Sequence, residues 1–184
     1  MKIELKPLTE ADFSLIVEWV NAHDEDFIYQ WAGNTYSYPL TVKQIEDHYS
    51  KGINAIDAGV FIYKIIDTST QETIGSVQLC RMDLIKSEAV VGRFLIKSEQ
   101  YRGKGIGTTV LKELVRIGFE EFSLKRIKLN VFHINTQAIR CYEKVGFIKG
   151  QIHENVYQSL TGEYWNGIEM TLEKELWEQI HRRH

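Results

Sequence analysis

The run Gln100-Tyr101-Arg102-Gly103-Lys104-Gly105-Ile106-Gly107-Thr108 is the densest chemical signal in the chain. Its three glycines let the backbone turn tightly and approach a ligand closely. A helix opening at this point leaves its first N–H groups free and adds partial positive charge at the turn. Arg102 and Lys104 contribute full charges. Such an assembly suits a phosphate or pyrophosphate, although a glycine-rich turn without a ligand would read the same way. Two other phosphate motifs are disfavoured by spacing. A P-loop needs G-x-x-x-x-G-K-[ST], and Lys104 instead stands between glycines. The dinucleotide fingerprint needs G-x-G-x-x-G in a first strand–helix turn, and this run is G-x-G-x-G far into the chain.

A second signal runs from Asn135 to Phe147. Asn135 is a good helix cap. Tyr142 follows two turns later on roughly the same face. By itself this segment reads as a capped helix with a buried tyrosine, stopped by Gly146 and followed by a core Phe147.

The surrounding pattern supplies elements to position both signals. Residues 2–6 alternate and predict a strand. Thr9 caps a helix with Phe13, Ile16, Val17 and Val20 on one face. Residues 22–39 read as an irregular, aromatic-rich stretch. Thr41 caps a second helical piece ending near Tyr49, with Gly52 as a stop. Residues 59–67 and 72–80 predict a hairpin, and 88–96 a third strand. A helix is expected from about Gly105 to Phe122, a strand over 126–132 and a short helix over 135–145. Two strands then close the chain on either side of Thr161-Gly162, and the last residues form a short helix or tail. One α/β (α+β) domain spanning 1–184 follows, with one mixed sheet and helices on both faces.

Composition sets outer limits. The 184 residues are 43% hydrophobic and 26% charged, as in a globular protein. A net charge of -3 argues against a nucleic-acid partner. No apolar run is long enough for a membrane span, and the amino terminus lacks a signal-peptide core, so a cytoplasmic location is expected. Cys80 and Cys141 follow no metal-ligand spacing, and the six histidines form no ligand set, so no metal is expected.

Arg102-Gly103-Lys104-Gly105-Ile106-Gly107, followed by N-x-x-A-x-x-x-Y-x-x-x-G-F at Asn135–Phe147, resembles the GNAT acetyltransferases. The resemblance covers about residues 1–173 and is most specific over 88–149. The amino-terminal helices and Gly162-Glu163-Tyr164-Trp165-Asn166 look like the ribosomal-protein and spermidine N-acetyltransferase branches. The resemblance implies a GNAT fold, with a mixed, mostly antiparallel central sheet of about seven strands. It implies acetyl-CoA as co-substrate and transfer of acetyl to a primary amine of a small molecule or protein N-terminus.

By the same resemblance, Phe94, Leu95 and Ile96 offer backbone groups to the pantetheine arm, one N–H polarising the thioester carbonyl. Arg102, Gly103, Lys104, Gly105, Ile106, Gly107 and Thr108 hold the pyrophosphate, and Asn135 contacts the coenzyme. Tyr142 protonates the departing thiolate. The general base is not assigned; Glu88, Asp83 and a water chain stay open. Asp24-Glu25-Asp26 and Glu46-Asp47, near Trp31, Tyr36, Tyr38 and Trp165, would suit a cationic acceptor such as a polyamine. A homodimer is compatible with the pattern. The alternatives are a non-catalytic acyl-CoA sensor of the same fold, a dedicated polyamine acetyltransferase and a nucleotide-dependent transferase.

Overall fold

Alternating apolar residues and helical stripes assemble into a single seven-stranded sheet covered on both faces. The computed structural model of the chain describes residues 2–101 and 103–181. The chain order is β1 (Ile3–Pro7), α1 (Phe13–Asn21), α2 (Glu25–Ala32), α3 (Val42–His48), β2 (Phe61–Asp67), β3 (Glu72–Asp83) and β4 (Glu88–Ile96). It continues with α4 (Ile106–Arg116), β5 (Arg126–Phe132), α5 (Thr136–Val145), β6 (Ile148–Gln158), β7 (Tyr164–Glu173) and α6 (Lys174–His181). The sheet order is β1-β2-β3-β4-β5-β7-β6. All neighbours are antiparallel except β4 and β5.

The segment expected to be irregular, 22–39, contains α2. Asp24 caps it, its carboxylate accepting from the Phe27 N–H at 3.0 Å, and Glu25 and Asp26 occupy the acidic first turn. The aromatic composition hid this start signal. The helix expected over 105–122 is α-helical only through Arg116 and finishes as a π turn over Ile117–Glu121. β3 runs past Cys80 to Asp83, and the end of the chain forms α6 rather than a loose tail.

Two cores lie on opposite faces. One packs Val110, Leu111, Leu114 and Val115 of α4 with Ile139 and Val145 of α5 against Val77, Leu79, Ile127 and Leu129. The other packs Phe13, Ile16 and Val20 of α1, Ile28 of α2 and Ile45 of α3 against Ile62 and Leu95. Among the described residues, no helix is long and apolar enough to cross a membrane.

The decisive irregularity lies in β4. It pairs with β5 only at Glu88↔Arg126, Ala89↔Ile127 and Val90↔Lys128. Beyond Val90 the two parallel strands separate. On its other side, β4 pairs Gly92 with Gln78 and Leu95 with Ser76, so Arg93 and Phe94 together oppose Val77. This β-bulge puts Arg93 at φ 44, a costly conformation for a non-glycine residue. The extra residue also reverses the strand's facing. Ala89 and Val91 belong to the α4 core, whereas Leu95 belongs to the α1–α3 core.

Candidate active site

Separation of β4 from β5 opens a cleft of about 1520 Å³ that passes from the α4–α5 side to the α1–α3 side. Phe94, Leu95 and Ile96 line it, as do Gly103, Gly105, Ile106, Gly107, Thr108, Asn135 and Tyr142. Residues from both sequence signals therefore share one space. Arg102 lies outside the described residues. Lys104 is described but does not line the cleft.

The glycine loop ends at the amino terminus of α4. Gly105 is the cap residue, at φ 77, and no side chain among the described residues caps the helix. By contrast α2, α3 and α5 receive side-chain caps from Asp24, Thr41 and Asn135. The first N–H groups of α4 thus stay open, and the helix dipole adds to them. Gly103 at φ 72 and Gly105 need the left-handed region that glycine occupies at little cost. Gly107 has a different reason. A Cβ there would stand 3.3 Å from Cys141 Sγ and 3.8 Å from the Phe94 ring. Its lack of a side chain serves the packing of α4 on α5 and β4.

On the other wall, β4 supplies an unpaired edge. The Lys97 N–H donates to Ile74 O at 2.9 Å. Backbone groups alternate along a strand, so Leu95 also faces β3, where it pairs with Ser76, and Ile96 turns its groups into the gap. Of the three residues expected to offer backbone there, Leu95 has its own spent on β3.

Asn135 and Tyr142 occupy the same helix. The Asn135 side-chain Oδ1 accepts from the Ala138 N–H at 3.2 Å, which leaves its side-chain NH2 for a ligand. Tyr142 is 8% exposed, its ring edge-on to Phe147 at 6.0 Å. Burial, then the neighbouring Cys141, raises its phenol well above the ordinary value, so it stays protonated. The Thr108 hydroxyl meets Cys141 Sγ at 3.3 Å, which directs its side chain to packing and leaves its N–H to the loop. Burial raises the Cys141 thiol, which suits a packing residue rather than a nucleophile.

Neither acid left open as a base lines the cleft. Glu88 is held by Lys128 at 2.8 Å, and Asp83 by Lys86 at 3.0 Å. The acidic residues expected at an acceptor pocket also face elsewhere. Asp24 caps α2, Asp26 accepts from Tyr157 Oη at 2.8 Å, and Asp47 pairs with Lys43 at 2.8 Å. Glu25 and Glu46 do not line the cleft. Sequence reasoning missed Gln137, Arg140 and Lys144, which line it from α5. Their three- and four-residue spacing placed them on one face and could have found them. His48 and Arg93 were also missed. Among the described residues, no group of His, Cys, Asp and Glu could hold a metal ion.

Comparison with known proteins points to one family. A family model described as an acetyltransferase (GNAT) domain matches residues 2–148. The SPbeta prophage-derived uncharacterized N-acetyltransferase YokL of Bacillus subtilis (strain 168) is 28% identical over 114 residues. That match covers 61% of this chain and 62% of the relative, so the chain spans less than two thirds of its length. Aminoglycoside N(6')-acetyltransferase type 1 of Klebsiella pneumoniae is 28% identical over 155 residues, 79% of this chain and 73% of that one. A spermidine N-acetyltransferase from Vibrio cholerae, in complex with CoA and spermine, has a TM-score of 0.78. It is 21% identical and matches over 95% of this chain and 97% of its own, a likeness of fold.

Proposed function

The chain belongs to the GNAT acetyltransferase family, and from that membership we propose that it moves the acetyl group of acetyl-CoA directly to a primary amine. The observation that carries this reading is one cleft bounded by the unpaired β4 edge, the uncapped α4 amino terminus and Tyr142. The residues present suit the coenzyme. The amides of 103–108 would hold the pyrophosphate, with Arg102 and Lys104 adding charge. Arg140 and Lys144 would reach the remaining phosphate. Phe94, Leu95 and Ile96 would flank the pantetheine arm, with an edge N–H polarising the thioester carbonyl, and Asn135 would donate from its free amide.

The neutral amine nitrogen attacks the carbonyl carbon, forming the N–C bond as the C–S bond breaks. The departing sulfur takes its proton from the Tyr142 phenol, and the proton shed by nitrogen returns to solvent and then to Tyr142. No protein-bound acyl group is needed, so Cys80 and Cys141 keep packing roles. The named acceptors of the relatives, an aminoglycoside and spermidine, support an amine as the class of acceptor. A thiol-release assay with acetyl-CoA and an amine panel tests the activity. Calorimetry showing no CoA complex at millimolar concentration would remove the reading.

We also place the chain in the cytoplasm, a reading supported by its two free thiols. We read it as self-associating through β6. This strand is one of the two edges of the sheet, the other being β1, and exposes Ile148, Ile152 and Val156. Sedimentation is expected to show a dimer or larger assembly, and Ile152→Lys to shift it toward monomer.

A further inference from the structure

The acceptor end of the cleft is rich in donors and poor in carboxylates. Arg93, carried there by the β4 bulge, donates from Nη1 to Tyr49 Oη at 3.0 Å and from Nη2 to Thr35 Oγ1 at 3.1 Å. Its guanidinium lies 5.1 Å from the Tyr36 ring centroid and 5.9 Å from that of Tyr49. Tyr49 in turn donates to Gln78 Oε1 at 2.8 Å. Every partner in this network is neutral. Two of the five N–H donors of a guanidinium are used, and its charge meets no carboxylate among the described residues.

Buried hydrogen-bonding groups are normally satisfied. Here Arg93 Nε and Trp31 Nε1 are buried without an acceptor among the described residues. Gln78 Nε2 has only the weakly accepting Cys80 sulfur beside it. All three side chains line both the cleft and a side pocket of about 10 Å³, room for one oxygen atom. Lys51 and Arg81 line the same end of the cleft, and neither enters an ion pair among the described residues. The one carboxylate among the described lining residues, Glu99, lies just before the glycine loop, at the coenzyme end.

We propose that the acceptor is an amine that also carries a carboxylate, such as an α-amino acid or an acidic peptide, and that Arg93 anchors that carboxylate. This inference rests on the acetyltransferase reading above and names its acceptor class. A carboxylate presents the oxygen lone pairs that the Arg93, Gln78 and Trp31 donors lack, and it neutralises the guanidinium. The planar fork of arginine matches a carboxylate in geometry as well as charge. A polyamine would bring positive charge to an end of the cleft already occupied by Arg93, Arg81 and Lys51, with no carboxylate among the described lining residues there to receive it. The cationic acceptors named for the relatives are therefore not expected to transfer to this chain.

The test compares free amino acids with their methyl esters, which keep the amine and lose the charge, alongside spermidine and kanamycin, with thiol release as readout. Acids are expected to exceed their esters and spermidine in kcat/KM by about 10–100-fold, the scale of a charge-assisted hydrogen bond. Arg93→Gln is expected to collapse the acid-to-ester ratio toward one, mainly through KM, and Arg93→Lys to keep part of it. If Arg93 variants do not fold, Arg81→Gln and Lys51→Gln are expected to reduce the same ratio. Esters or spermidine used as well as the acids would overturn the proposal. So would a protein that binds CoA in calorimetry and acetylates no acid. Failure to bind CoA would overturn the acetyltransferase reading itself.

Discussion

Burial holds the Tyr142 phenol in its protonated form at the wall of the cleft, which is the state an acid for the departing thiolate requires. On the proposed acid role, Tyr142→Phe is expected to lower kcat by about 10²-fold, at the low end for general acids because a thiolate leaves readily. Acetyl-CoA affinity should change little, and equal turnover in both proteins would remove the role. His48 offers a second check at this scale. Burial, then the charge of Arg93, lowers its pKa below the usual 6.5. As pH falls through that value, the unfolded chain takes up a proton that the folded chain resists. The stability present above pH 6.5 is therefore lost on acidification toward the folded value. Melting temperature is expected to fall between pH 7.5 and 5.5, and His48→Asn to flatten the dependence.

Among the elements, β4 decides most of the site. Its pairing with β5 stops at Val90, its bulge reverses which face each side chain meets, and its far end leans on β3 without a side chain between them. A Cβ on Gly75 would stand 2.2 Å from the Leu95 carbonyl oxygen and 3.2 Å from Ile96 Cα. These are backbone atoms, so the strand must move. Gly75→Ala is expected to cost about 2–4 kcal/mol, lowering Tm by roughly 5–15 °C, and to weaken CoA binding because the shifted edge is the one that faces the gap. Thermal melts with calorimetry on the same variant check both effects. The helices were readable in advance where a cap precedes an apolar stripe, as at Thr41 and Asn135. α2 was not, because its buried contribution is a single residue, Ile28, among half-buried aromatics.

For the whole molecule, the cleft divides the two cores, and a ligand that spans it should tie them together. Acetyl-CoA at about 100 times its Kd is expected to stabilise the fold by about 2.7 kcal/mol, or roughly 5–10 °C in Tm for a chain of this size. Differential scanning fluorimetry with and without the coenzyme checks this. An unchanged Tm at saturation would mean that the cleft does not take the coenzyme.

The residues from 100 to 108 and from 135 to 147 declared themselves because their signals are local. A glycine run before a helix, and a cap two turns ahead of a tyrosine, are set by bonds and dihedrals within a few positions. Strand and helix periods are local in the same sense, which is why most elements were readable from residue order. The parting of β4 from β5, the bulge at Arg93 and the packing role of Gly107 were not. Each depends on register or contact between segments far apart in the chain, and a period of two residues is blind to where pairing stops. Only the folded chain brings Trp31, Gln78 and Arg93 to one small pocket, and with them the charge that the cleft presents to an acceptor.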